Sequence, residues 1–349
     1  MFDFFKILND HKGVSRDVDI DEILKKASSK KGRNFFNFYR MKNNDYGFGF
    51  FGLHGRLAAP VGSFKGVGIC HNLIPEAFFQ TGPWGYFGKG FDVAMQLLQD
   101  PVYCLGKGHR MGMDNRYSSC DLFIHLKNCQ TNAFGTVRKG RMYLPEDANE
   151  MFKDVKPLRP GEYLTRYSPV SGLIFEIVQS NKRVRVLSNC HSTVDKTDID
   201  RFIKDVDVAE EFPDAPLGRR TINTSVLLKD YSITMNNTDC GAGLGGRMTK
   251  YHRKSHRLSQ PFLDFFTFEI AAVNAFILYR GQNPTYTKGI RQFAEQVITE
   301  TVSNILNSGE RCWIMRQNNQ NIPGPSDRIA ERFTKKPVSR LSKLQLRNE

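Results

Sequence analysis

Asp114 closes the short run Gly108-His-Arg-Met-Gly-Met113 and is followed by Asn115 and then by a stretch, Ser119 to Lys127, with apolar residues at helical spacing. An acid at the carboxyl end of a strand in a chain of alternating strands and helices belongs where functional crevices form. Taken alone, an aspartate in such a place more often closes a turn. Asp239, in Met235-Asn-Asn-Thr-Asp239, has an equally plain role as a helix cap, with Asn236 and Asn237 supplying turn chemistry. A second group of residues could grip phosphates: Arg253, Lys254 and Arg257, interleaved with His252 and His256. Arg138 and Lys139 form a smaller basic step before Gly140, where an ordinary hairpin turn also fits. His252 and His256 have metal-ligand spacing, but no cysteine pair or glutamate lies near them to complete a zinc site. The seven cysteines, Cys70, Cys104, Cys120, Cys129, Cys190, Cys240 and Cys312, are scattered and form no C-x-x-C, which argues against a zinc module or disulfide framework and for a reducing compartment.

These residues need a scaffold. The chain has 349 residues, 40% of them apolar, enough for a full core divided into two or three lobes. Tyr46-Gly-Phe-Gly-Phe-Phe-Gly-Leu53 and Gly66-Val-Gly-Ile-Cys70 read as strands, and Phe91 to Gln99 reads as a helix stopped by Asp100-Pro101. The run before Asp114 and Phe134-Gly-Thr-Val-Arg138 are further strands, with the helix from Ser119 between them. The alternation predicts an α/β core with a largely parallel sheet. From Pro160 to Leu228 the texture changes to short β-rich runs, Glu162 to Tyr167, Leu173 to Val178 and Val184 to Ser188, read as an inserted β-subdomain, followed by an acidic connector from Asp205 to Asp214. Helices are expected from about Pro261 to Arg280, with Phe262, Phe265, Phe266 and Phe268 as a core stripe, and from Gly289 to Leu306.

Charge and hydropathy narrow the partners. Lys and Arg number 50 against 36 Asp and Glu, a net charge of +14, and residues 247–349 hold 17 Lys and Arg against 8 Asp and Glu. Such a field favours polyanions. The opening Met1-Phe-Asp-Phe-Phe-Lys is too charged for a signal peptide, and Phe262 to Leu278 is interrupted by Asp264 and Glu269. No membrane partner is expected.

The block around Asp114 resembles the piggyBac transposase family. Asp114-Asn-Arg-Tyr-Ser-Ser119 matches its D-N-x-[FY]-[TS]-S motif, and a helix and a G-T-V-R strand, Gly135 to Arg138, follow in order. Asp19-Ile-Asp21-Glu22 resembles the family's I-D-E opening, with Gly32-Arg33 and Tyr39 in register, and Val184 to Cys190 resembles the strand that closes the insertion. Met235 to Asp239 resembles the M-G-G-V-D run that carries the third aspartate. Arg253-Lys254 and Ala272 to Tyr279 match the helices after it, and Pro83-Trp84-Gly85-Tyr86 stands at a glycine-aromatic loop expected to be structural.

The resemblance implies an α/β fold, an RNase H-like mixed sheet with flanking helices and a β-rich insertion. The expected divisions are a remnant at 1–18, the first part of the core at 19–159, the insertion at 160–228, the second part of the core at 229–306 and a basic tail at 307–349. It also implies two Mg²⁺ ions held by several carboxylates, one activating the attacking hydroxyl and one stabilising the leaving oxygen. Asp114 and Asp239 are the retained acids. The first aspartate is expected to end the strand that begins at Tyr46, where Gly55, or His54 one residue away, stands instead; the fourth position is Ala242. Compared with full-length members, the sequence lacks an N-terminal region and a cysteine-rich module, so sequence-specific end recognition is not expected. The resulting expectation is a nuclear, domesticated DNA-binding protein without strand cleavage and without cofactor, contacting DNA through Arg253, Lys254, Arg257, Arg138 and Lys139, with a homodimer implied by the family. Two alternatives stand beside it: an active Mg²⁺-dependent transposase or nuclease acting at TTAA-type sites, and a poorly folded remnant.

Overall fold

The computed structural model describes residues 5–6, 8–9, 14–26, 37–39, 45–56, 68–99, 104–145, 158–180, 182–193, 195–203, 218–248 and 259–307. Residues 1–290 form one compact unit and 291–349 a second.

Strand β1 (Asp17–Lys26) is the organising element of the first unit. Its residues alternate between faces: Val18 and Ile20 are fully buried in the main apolar cluster, whereas Asp17, Asp19 and Asp21 share the other face. β2 (Asn37–Tyr39) and β4 (Gly68–Pro75) both pair with β3 (Asp45–Arg56), and β3 runs antiparallel to β1. On its other edge β1 pairs in parallel with β5 (Arg110–Met113), and β5 pairs in parallel with β6 (Asn132–Thr136).

The β-rich segment expected as an inserted β-subdomain begins by extending this sheet. β7 (Tyr163–Tyr167), β8 (Ile174–Gln179) and β9 (Arg183–Ser188) form an antiparallel meander whose last strand pairs with β6, completing a sheet of nine strands. The physical reason is the edge of β6, whose open N–H and C=O groups need a partner. β10 (Lys196–Ile203) and β11 (Gly218–Ser225) form a hairpin sheet of their own. The acidic connector expected at 205–214 lies outside the described residues.

Helices cover both faces. α1 (Lys89–Leu98) and α2 (Cys120–Asn128) bury Val93, Leu97, Leu122, Phe123 and Leu126 against Val18, Ile20, Met111, Met113 and Ala133. Ser119 caps α2 by accepting from the Leu122 N–H at 3.2 Å. On the opposite face, α3 (Val226–Thr234) packs Leu227 and Leu228 against Phe134 and Val186 and is capped in the same way by Ser225. α4 (Asn236–Gly246) follows, then α5 (Ser259–Asp264), a π-helical turn over Phe265–Ala271, and α6 (Ala272–Gln282). Phe265 is buried and stacks on Phe50 at 4.6 Å, Phe266 and Phe268 are half-buried, and the Phe262 side chain lies outside the described residues. α7 (Ile290–Asn307) accounts for the described part of the second unit. Among the described residues, no helix is long and apolar enough to cross a membrane.

α4 sits directly on β4. An added Cβ at Gly68 would fall 1.8 Å from the Asn237 carbonyl oxygen, and one at Gly241 would fall 2.9 Å from the Gly68 oxygen. Gly68→Ala is therefore expected to cost about 1–3 kcal/mol, read as a lowered urea midpoint at unchanged slope. A midpoint equal to the parent's would contradict this packing.

Candidate functional site

The parallel pairing of β1 and β5 decides which acids meet. Asp19 lies opposite Gly112 and Ile20 opposite Met113, where the pairing ends; Asp21 continues β1, Asp114 is the first residue after β5, and the charges of both act on Tyr231. Equal register on parallel strands points paired side chains the same way. The Asp17–Arg110 ion pair, at 2.6 Å, marks that shared face from the other end of the pairing. Asp114 Oδ1 accepts from Thr136 Oγ1 at 3.0 Å, and Thr136 Oγ1 lies 3.3 Å from Tyr231 Oη on α3. Burial, with the charges of Asp114 and Asp21 and against the Thr136 hydrogen bond, pushes the Tyr231 hydroxyl up to about 12. Tyr231 thus stays a neutral donor beside the two carboxylates at ordinary pH.

The turn after Asp114 is fastened from both sides. The Tyr117 and Ser118 N–H groups donate to the Asp114 carbonyl at 3.0 and 3.1 Å. From the far face of β1, Glu22 accepts from Tyr117 Oη at 2.6 Å and pairs with Arg116 at 3.2 Å, while Arg116 also pairs with Glu76 at 3.1 Å. The I-D-E run therefore provides Asp21 for one face and an anchor, Glu22, for the other.

The first acid expected at Gly55 does not fit this topology. Gly55 is on β3, paired with Val18, and β1 separates β3 from β5. An added Cβ at Gly55 would fall 2.5 Å from Ser15 Oγ and 2.7 Å from His71 Nε2, so the position has no room for a side chain. His54 is buried and lies 3.1 Å from Thr238 Oγ1, and burial pushes it down to about 3. The acid adjoining Asp114 is Asp21. A parallel neighbour can only be found once strand order is known, and the D-I-D-E run was the available signal.

Asp19, two positions earlier on the same face, is fully buried. Its Oδ2 accepts from the Thr238 N–H at 3.1 Å and from Thr238 Oγ1 at 2.7 Å, and burial pushes its carboxyl up to about 7 against these bonds. This tie fixes the first turn of α4, where the next residue, Asp239, is exposed. Asp239 is thus within the helix rather than at its cap. Among the described residues, no three His, Cys, Asp or Glu side chains gather into a metal-holding group, so Asp239 does not join Asp21 and Asp114. Ala242 lines a cavity of about 240 Å³ together with Lys25, His54, Cys70 and Glu269.

Of the basic candidates, Arg138 is exposed and donates to Asn115 Oδ1 at 2.6 Å, next to Asp114, and Lys139 is exposed beside it, before a Gly140 with φ of 74°. Arg253, Lys254 and Arg257 lie outside the described residues, as do His252 and His256. Cys70, Cys104, Cys120, Cys129, Cys190 and Cys240 are free thiols, and Cys312 lies outside the described residues.

These features define a class. The family model "Transposase IS4", of the DDE type, matches residues 79–276, more than half of the chain, and the chain belongs to that family. Its fold is similar to that of a piggyBac transposase solved by cryo-electron microscopy in a synaptic complex with hairpin DNA, with a TM-score of 0.59 and 17% identity. That match covers 89% of this chain and 59% of the transposase chain, so this chain spans well under two thirds of its relative's length. No curated protein matches the sequence.

The charged cluster behind the acids has a pH signature. Arg110 pairs with Asp17 and Asp230, each at 2.6 Å, and His191 meets Asp230 at 3.3 Å. Burial opposes charge on His191, but the Asp230 hydrogen bond and Cys190 outweigh it and raise His191 to about 9. The folded pKa lies above the unfolded value near 6.5, so this stabilisation is complete below about pH 6.5 and is lost as pH rises through 9. His191→Gln is expected to remove up to about 3 kcal/mol at pH 6 and little above pH 9, checked by urea melts across that range. A constant difference at all pH values would show that His191 is not charged in the fold.

Proposed function

We propose that this chain acts on duplex DNA through divalent-metal-dependent phosphodiester chemistry, with Asp21 and Asp114 as the metal-holding carboxylates. The placement of these two acids at the carboxyl end of the paired stretch of β1 and β5, where the charges of both act on Tyr231, carries this reading. It supersedes the expectation of lost cleavage, which rested on a missing acid at Gly55.

The donor set fits Mg²⁺. That ion is commonly held by one or two carboxylates and completes its shell with water and substrate phosphate. Asp21 and Asp114 offer hard oxygen ligands, Thr136 orients Asp114 with a neutral hydroxyl that Tyr231 backs in turn, and no protein cage is required. When bound, the metal would polarise a phosphoryl oxygen and favour ionisation of an attacking hydroxyl. Asp239, on the α4 turn that Asp19 ties down, is the acid that would approach a bound phosphodiester from the helix side. Arg138 and Lys139, beside the acid pair, would neutralise neighbouring phosphates, with Arg253, Lys254 and Arg257 as further candidates. A chromosomal substrate implies a nuclear location, and work on paired DNA ends implies a homodimer. A domesticated role that retains only binding is the outcome in which Asp239 no longer contributes.

The test is Mg²⁺- and Mn²⁺-dependent nicking of a supercoiled plasmid, with duplex binding followed in parallel over a salt series. The parent is expected to nick, and Asp21→Asn and Asp114→Asn are each expected to reduce nicking to background while retaining salt-sensitive binding. Binding without nicking by the parent would leave a DNA-binding relic. Asp21→Asn cutting as the parent does would refute the assignment of the first acid.

A further inference from the structure

Two segments flank the turn that carries Asp114, and both present large side chains to solvent. On one side Gly90, at the start of α1, packs against that turn so closely that an added Cβ would fall 2.4 Å from the Arg116 oxygen. On the other, Arg141 donates to the Arg116 carbonyl at 3.3 Å and to the Ser118 carbonyl at 3.0 Å. The segment leading to Gly90 exposes Phe78, Tyr86 and Phe87 to 70, 94 and 52%, and the segment around Arg141 exposes Met142 and Tyr143 to 69% each.

The first segment is held rather than loose. Asp92 accepts from the Gly82 N–H at 2.7 Å, and Gln96 donates to the Gln80 carbonyl at 3.1 Å. Phe87 stacks on Phe91 at 4.8 Å with an interplanar angle of 21°, and Tyr86 meets Phe87 edge-on at 5.5 Å. Nearly all of the Tyr86 ring faces water although its neighbours fix its backbone, so the unburied area is built into the fold. Lys89, close to Phe87 in sequence, is paired with Glu76 at 3.1 Å, whereas Arg138, bonded to Asn115 of the Asp114 turn, and Lys139 are exposed cations just before the Arg141 segment.

We propose that this aromatic rim stacks on unpaired bases of a DNA strand whose backbone passes the Asp21 and Asp114 carboxylates. This rests on the reading of that pair as a phosphodiester site. Aromatic faces bind bases of any sequence, but only where those bases are out of a duplex, and cations alongside follow the backbone. A protein partner would also accept exposed rings; the adjoining cations and phosphodiester site favour a nucleic acid strand.

The experiment is fluorescence anisotropy without metal, using a single-stranded oligo-dT probe and a blunt duplex of the same length. Tyr86→Ala is expected to weaken oligo-dT binding about tenfold, with duplex binding changed less than about twofold. Tyr86→Phe, which keeps the ring, should bind as the parent does, and Phe78→Ala provides an independent second variant. An oligo-dT affinity unchanged in both alanine variants, an equal loss on both probes, or no oligo-dT binding by the parent would overturn the proposal. A shift in sedimentation coefficient on Tyr86→Ala would also overturn it, by assigning the ring to a contact between protein copies. Cleavage is not read in this assay, so failure of the acid-pair assignment and failure of the stacking surface are separately visible.

Discussion

Strand β1 is hydrogen-bonded along both edges, antiparallel to β3 and parallel to β5, and the positions of Asp17, Asp19 and Asp21 relative to the end of β5 follow from that double pairing. A slip of one residue would send Asp17, Asp19 and Asp21 into the apolar layer and turn Val18 and Ile20 toward the acids' side. Two interactions on opposite faces oppose such a slip. Val18 and Ile20 are fully buried beneath α1 and α2, and Asp17 holds Arg110 of β5 in an ion pair. The parallel pairing brings Asp21 beside Asp114 without any sequence contact between them, since the two residues are joined only through the sheet.

The acids on this face are stabilised by different means, and the differences separate structural from chemical roles. Asp17 and Asp230 share Arg110, with His191 as a second partner for Asp230; these are compensated ion pairs that connect β1, β5 and α3. Asp19 is buried among neutral donors and ties β1 to α4 through Thr238. Asp114 is held by a hydroxyl, Thr136, which orients the carboxylate without cancelling its charge. A carboxylate that keeps its charge and some exposure is the kind that can still bind a cation, whereas one matched to a guanidinium is already satisfied.

The segment between Asp114 and Asp239 adds strands without disturbing this centre. β7, β8 and β9 enlarge the sheet on the β6 side, away from β1, and in doing so close an edge that would otherwise be open to pairing. The β10–β11 hairpin forms a sheet of its own, packs Ile199 against the cluster of Phe134, Val178 and Val186, and leads directly into α3, so the insertion ends where Asp230 and Tyr231 are delivered to the face that bears Asp21 and Asp114.

Much of this was readable from residue order. The helices at 89–98 and 120–128, the strands before and after Asp114 and the three strands of the β-rich segment follow from period, punctuation and β-branched content, which are local properties. The family resemblance rests on motifs that are themselves local, such as Asp114 to Ser119 and Gly135 to Arg138. The identity of the strand beside Asp114 is not local. The aromatic, glycine-spaced strand at 45–56 has the stronger β signature, yet it is β1, with its D-I-D-E run of mixed appearance, that occupies the centre. The exposure of Tyr86 is equally invisible in sequence, since Trp84, Tyr86 and Phe87 look alike as core material until α1 is seen to bury Phe91 beneath them. Residue order determined which segments are strands and helices, because that depends on each segment's own pattern. Tertiary structure alone decided which acids are neighbours, because strand order and register arise from the burial of whole faces against one another.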